Sequence, residues 1–138
     1  MNPYKINSPS LLTFSGGRTS GYMLRKILDA NNNSLPRDMF VCFANTGKEM
    51  PETLDFVRDC QEKWNVKVHW LEIDIHEERP IYRTKEVDYL TASRNGEPFE
   101  NLINKRKVIP NVFQRFCTQE LKVNVFKSLL TSLNYMIW

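Results

Sequence analysis

Apolar residues in the first half of the chain fall into short runs that alternate with amphipathic stretches, and this alternation predicts strands and helices in turn. Leu11–Phe14 reads as a first strand, and a helix follows from about Ser20 to Ala30, where Met23 and Ile27, and Leu24 and Leu28, make four-residue pairs before Asn31-Asn32-Asn33 stops it. Met39–Ala44 is a continuous apolar run of the buried-strand kind. Pro51 sits where a second helix would start, with Leu54, Val57, Cys60 and Trp64 on one side. A third strand spans Val66 to about Ile75, and its alternation changes phase near Trp70, which implies a bulge or burial of both faces. The expected fold class is α/β, a Rossmann-like parallel sheet flanked by helices.

From His76 to Pro110 the periodicity fails, and Pro80, Asn95-Gly96 and Pro98 mark turns. Residues 76–110 are therefore expected to form a long irregular excursion within a single domain spanning 1–138. Order returns at Gln114, because Cys117, Leu121, Val125 and Leu129 recur every fourth residue. The closing tetrapeptide Tyr135-Met136-Ile137-Trp138 has strand character.

Composition narrows the class without naming a chemistry. The chain has 138 residues, 41% apolar and 25% charged, with a net charge of +3, as expected for a globular domain rather than a disordered segment. Basic and acidic residues are interspersed, so nothing demands nucleic acid, and the denser run Lys105-Arg106-Lys107 reads as a solvated loop. Three widely spaced cysteines make a disulfide framework unexpected, and no signal core or membrane-length apolar run occurs, which points to a cytosolic protein.

The candidate chemistry starts where the first strand stops at Ser15-Gly16-Gly17 and a helical pattern begins at once. Glycines can take positive φ and let backbone N–H groups approach an anion. Ser15, Thr19 and Ser20 add hydroxyls, Arg18 adds a charged fork, and the helix start adds unpaired N–H groups and a positive dipole end. Such a loop suits phosphate or sulfate, although an ordinary strand-to-helix turn shares the glycine pair. It is not of the Walker type. Cys60 and Cys117 read first as small buried hydrophobes and His69 and His76 as surface residues. A zinc site assembled from Cys60, Cys117 and His76 is the alternative.

Three segments together carry a resemblance: Phe14–Leu24 around Ser-Gly-Gly-Arg-Thr-Ser, Phe43-Ala-Asn-Thr-Gly-Lys-Glu49 with Glu52-Thr53-Leu54, and Arg115-Phe-Cys-Thr118 with Leu121-Lys122. With Ala92–Glu100, they resemble the phosphoadenosine phosphosulfate (PAPS) reductase-like branch of the PP-loop, or adenine nucleotide alpha-hydrolase, superfamily, particularly its phage-encoded members. The resemblance implies a strand order of three-two-one-four-five and an adenine nucleotide, ATP or PAPS-like, whose anionic end lies on Ser15, Gly16, Gly17, Arg18, Thr19 and Ser20. It further implies that Asn45, Thr46 and Gly47 lie near the adenosine and that Arg115 and Lys122 face the anionic end.

Departures from the family pattern set limits on activity. Thr19 stands where ATP-activating members carry an acid, which argues against magnesium-assisted adenylation. The Glu-Cys-Gly-Leu-His tail of the sulfonucleotide reductases is missing, as are paired cysteines for an iron–sulfur cluster, so reductase turnover by this chain alone is not expected. The chain stops where strand four should begin, which leaves strand one near a sheet edge and predicts a protein partner or a second copy near Tyr135–Trp138. Two other readings follow. One is a catalytically silent phage protein that inhibits a host defence protein, as in anti-restriction or anti-CRISPR roles, in the host cytoplasm; the other is one fragment of a two-chain enzyme.

Overall fold

The computed structural model describes residues 1–111 and 116–133. Hydrogen bonding orders β1 (Ser10–Thr13), β2 (Met39–Ala44), β3 (Val68–Ile75) and β4 (Tyr82–Val87) as β1-β2-β3-β4 in one sheet. β1 and β2 pair in parallel and β4 runs antiparallel to β3, so the sheet is mixed and mostly parallel, and the fold is the expected α/β, Rossmann-like class. The chain divides into two compact units, residues 1–43 with 50–69, and residues 44–49 with 70–138.

In the first unit, Leu12 opposes Val41 in the β1–β2 register, and both side chains are buried. Helix α1 (Arg18–Ala30) turns Gly21, Leu24, Ile27 and Leu28 inward. Met23, expected to pair with Ile27, instead lies on the solvent side and is 46% exposed, because the inward stripe centres on the Leu24–Leu28 row. Asn31 ends the helix by donating its Nδ2 to the Ile27 carbonyl at 2.7 Å and to the Tyr4 carbonyl at 2.9 Å. Asn32 and Asn33, both at φ 59°, then turn the chain left-handed, a conformation that asparagine tolerates better than most residues. Helix α2 (Pro51–Lys63) begins on Pro51, has Glu52 in its first turn and Lys63 in its last, and buries Leu54, Val57 and Cys60.

Burial pushes the Cys60 thiol up and the neighbouring Asp59 adds to this, while Lys63 opposes it. A raised folded value favours the neutral thiol, so its contribution to stability is complete below the ordinary value of about 8.5 and is lost as pH rises from there through the folded value. Wild-type protein is therefore expected to lose melting temperature above about pH 8.5 more steeply than Cys60→Val. Parallel pH profiles for the two proteins would show that the thiol is not linked to folding.

In the second unit, β3 and β4 form a hairpin in which Trp70 opposes Val87 and Ile75 opposes Tyr82, closed by His76 N–H donating to the Ile81 carbonyl at 2.7 Å. Residues 70–73 are all buried, so the phase change near Trp70 marks burial of both faces. The excursion over residues 76–110 is not irregular. It contains β4 and the ten-residue helix α3 (Glu97–Arg106). β4 escapes sequence patterning because Tyr82-Arg-Thr-Lys-Glu-Val87 has no buried face to impose an alternation. α3 escapes because only Pro98 and Leu102 are buried.

Lys105 and Arg106 form the last turn of α3, where cations oppose the negative end of the dipole, and Lys107 caps it at φ 60°. The basic run is thus a helix end rather than a loop. A short α4 (Phe116–Thr118), a π-helical segment (Gln119–Val123) and α5 (Asn124–Ser132) follow, and α5 packs on β4. Glu120, Leu121, Val125 and Leu129 are buried. Arg106 pairs with Glu120 at 2.5 Å and lies 4.9 Å over the Phe116 ring. The expected helix start at Gln114 and the partner surface near Tyr135–Trp138 fall outside the described residues. Among the described residues, no helix is long and apolar enough to cross a membrane.

Candidate anion-binding loop and the turn after β2

Phe14 carries the β1 pairing one residue further, donating its N–H to the Cys42 carbonyl at 2.7 Å, and stacks on Phe56 with ring centroids 6.3 Å apart. This fixes the exit of the strand. The chain then turns at Gly16, whose φ is +80°. A Cβ at Gly16 would meet the Thr53 Cγ2 at 2.5 Å and the Val57 Cγ2 at 3.2 Å, so both conformation and space require glycine there. Gly17 differs from expectation. It is extended at φ −94°, as an N-cap residue usually is, and only the Ser15 Oγ comes near its missing Cβ, so no positive φ accounts for it.

The hydroxyls fold over the turn. Ser15 N–H donates to Ser20 Oγ at 3.2 Å, Gly17 N–H to Ser15 Oγ at 3.4 Å, and the two hydroxyl oxygens lie 2.5 Å apart. Whichever serine donates between them, one hydroxyl proton is left to point elsewhere. The helix start is bare in the way that suits an anion. Its N-cap has no side chain to accept from the first-turn N–H groups, and no acid occupies that turn. Arg18 and Thr19 are exposed, and neither side chain makes a hydrogen bond or ion pair among the described residues. A positive helix end, a free hydroxyl proton and an exposed guanidinium make a surface for a phosphate-like group.

In the second unit, the turn after β2 is built around a buried acid that sequence reasoning missed. Glu72 is 0% exposed in β3, and its Oε1 accepts from Asn45 Nδ2 at 2.8 Å and from Ser93 N–H at 2.6 Å. Its Oε2 accepts from Ser93 Oγ at 2.9 Å and lies 3.9 Å from Lys85 Nζ. Asn45 also donates to the Ser93 carbonyl at 2.8 Å, while its Oδ1 accepts from Gly47 N–H at 3.2 Å. Thr46 Oγ1 donates to Glu49 at 3.3 Å and accepts from Lys48 N–H at 3.2 Å. Gly47, at φ +81°, packs so closely that a Cβ would meet Pro98 Cδ at 2.8 Å and Gly96 Cα at 3.0 Å. The signal in the sequence was a glutamate inside the apolar run Trp70-Leu-Glu-Ile73, where a buried acid has to be answered by donors from elsewhere.

Lys122 is exposed on the π-helical segment, and Arg115 lies outside the described residues. Cys60 is buried, Cys117 is half-buried, and both thiols are free. His76 Nε2 sits 2.8 Å from Asp74 Oδ2. Among the described residues, no three metal-capable side chains gather, so the structure supplies no cluster for the alternative zinc reading.

A glycine turn leads from the first strand of a mostly parallel sheet into an uncapped helix, as in Rossmann-like α/β domains. The sequence model of the phosphoadenosine phosphosulfate reductase domain matches residues 9–111, and the chain belongs to that family. The matched span includes the Ser15–Ser20 loop, the Asn45–Gly47 turn, Glu72 and Ser93, and ends before Arg115 and Lys122. The chain is also similar to the uncharacterized nin region protein ORF290 of Escherichia phage lambda, with 32% identity over 123 residues. That alignment covers 85% of this chain and 41% of the phage protein, so the chain spans less than half the length of this relative.

Proposed function

We propose that this domain binds an adenine nucleotide, with the phosphate or sulfate end on the Ser15–Ser20 loop, and that it does not carry out reductase turnover alone. The observation that carries this reading is the start of α1, a 13-residue helix with a glycine N-cap, no capping side chain and no acid in its first turn. Helices α2 and α3 also lack a capping side chain but carry acids in their first turns, Glu52 in α2 and Glu97 and Glu100 in α3, whereas α1 carries none. A helix left bare beside two serine hydroxyls and a free arginine favours an anion from outside. Membership of the family supports an adenine nucleotide with an anionic tail as the ligand class.

Titration calorimetry with ATP, PAPS and adenosine bisphosphate tests the reading. At least one of the three is expected to bind, and Arg18→Glu is expected to weaken it roughly tenfold or more, the value of a charge-assisted hydrogen bond of about 1.5–3 kcal/mol. No heat with any of the three at millimolar concentration would reject nucleotide binding. An Arg18→Glu variant that binds like wild type would move the anion away from this loop.

A further inference from the structure

We propose that the second unit carries a binding site of its own, for a phosphorylated sugar or polyol, in the cavity between the end of β3 and one face of α3. The site shares no residue with the Ser15–Ser20 loop, so it stands or falls apart from the nucleotide reading. The cavity measures about 530 Å³, within the range of small-molecule sites, and is lined by Ile75, Glu77, Asn101, Asn104, Lys105 and Lys107. Ile75 is the last residue of β3, and ligands of open α/β sheets gather at the carboxyl ends of strands.

The packing of α3 does not call for these side chains. The helix buries Pro98 and Leu102, while Asn101, Asn104 and Lys105 share a different face, three and four residues apart. Among the described residues, the side chains of Asn101, Asn104 and Lys107 make no hydrogen bond or ion pair. Lys107 also stands at φ 60° and ψ 23°, a helix-ending position that suits glycine and penalises a side chain. A cation placed there against its backbone preference points to an anion as ligand. Lys105 is held in place. Its side chain is only 27% exposed and lies 3.3 Å from Glu77, whose own side chain is 94% exposed. An ion pair to so exposed a carboxylate is weak, so a dianion entering the cavity displaces Glu77 from the ammonium.

The lining also selects the chemistry of the ligand. Two ammonium groups against one carboxylate leave the cavity positive. Lysines act as point charges and suit a phosphate, whereas a planar carboxylate is matched by the fork of an arginine, and among the described residues no arginine lines the cavity. The carboxamides of Asn101 and Asn104 each donate and accept, as the hydroxyls of a sugar do. No aromatic ring lines the cavity among the described residues, so a nucleobase would find nothing to stack on.

Residue-resolved amide NMR titrations of the whole protein with ribose 5-phosphate, glycerol 3-phosphate, ribose and inorganic phosphate test the proposal. At least one of the two phosphate esters is expected to shift the amides of residues 75–77 and 101–107, with ribose about tenfold weaker or more for want of the charge and inorganic phosphate weaker for want of the hydroxyls. Lys107→Gly is expected to raise the melting temperature, since glycine suits that backbone, and yet to weaken the ester about fivefold or more. Lys105→Gln should weaken it similarly. Glu77→Gln, which removes the competing carboxylate, should tighten it roughly twofold. A lysine with no part in binding would give the gain in stability without the loss of affinity. Ester affinity unchanged in both lysine variants, or no shift at these residues with either ester at millimolar concentration, would overturn the proposal. Inorganic phosphate binding here as tightly as the esters would overturn the assignment to a sugar or polyol.

Discussion

Gly16→Ala is expected to lower the stability of the protein by about 3 kcal/mol, combining a left-handed backbone penalty of about 1–2 kcal/mol with overpacking of about 1–3 kcal/mol. The two parts separate experimentally, because the crowding comes first from one methyl group, the Thr53 Cγ2 at 2.5 Å from the position of the new Cβ. Thr53→Ser deletes that methyl. In the double variant Gly16→Ala/Thr53→Ser the overpacking should largely vanish, leaving the φ +80° strain and the looser approach of Val57. Melting temperature reads the effect, with a fall of roughly 10 °C for the single variant and about half of that restored in the double. Equal melting temperatures for the single and double variants would mean that space at Gly16 does not matter. A Gly16→Ala protein as stable as wild type would mean that the turn relaxes to negative φ, and the loop geometry described here would not hold.

Gly17→Ala provides the contrast. Its extended backbone suits any residue and nothing but Ser15 Oγ approaches its missing Cβ, so stability should fall only by the preference for glycine over alanine at an N-cap, about 1 kcal/mol or less. The pair Gly16-Gly17 shows how far the sequence could be read at this site. The strand, the turn and the helix start were legible from an apolar run meeting two glycines. Which glycine carries the positive φ was not legible, because it is decided by the packing of Thr53 and Val57, some forty residues away.

The same division applies to the rest of the fold. β1, β2, α1 and α2 were legible because each presents an apolar run or stripe that one layer must bury. β4 and α3 were not, since they hold their places through pairing with β3 and through polar contacts at their ends, such as Lys105 with Glu77 at 3.3 Å and Lys48 with Glu100 at 3.2 Å. Propensity sees neither kind of contact. The Asn45–Gly47 segment was picked out by resemblance, but the reason for its asparagine lies in the buried acid on β3.

That reason makes Asn45→Asp the other severe substitution, although it changes one terminal group and almost no volume. Aspartate has no N–H to give, so the Ser93 carbonyl loses a donor and Glu72 loses one of its three hydrogen bonds. It also brings a second carboxylate to the place where Asn45 Nδ2 stood 2.8 Å from Glu72 Oε1. Breaking a buried charge arrangement in this way costs about 3–5 kcal/mol, whereas Asn45→Ala, which loses the hydrogen bonds without adding charge, should cost about 2–3 kcal/mol. Denaturant unfolding of both variants at pH 7 measures the difference. An Asn45→Asp protein as stable as wild type, or no less stable than Asn45→Ala, would show that residue 45 does not share the buried hydrogen-bonded contact with Glu72 described above.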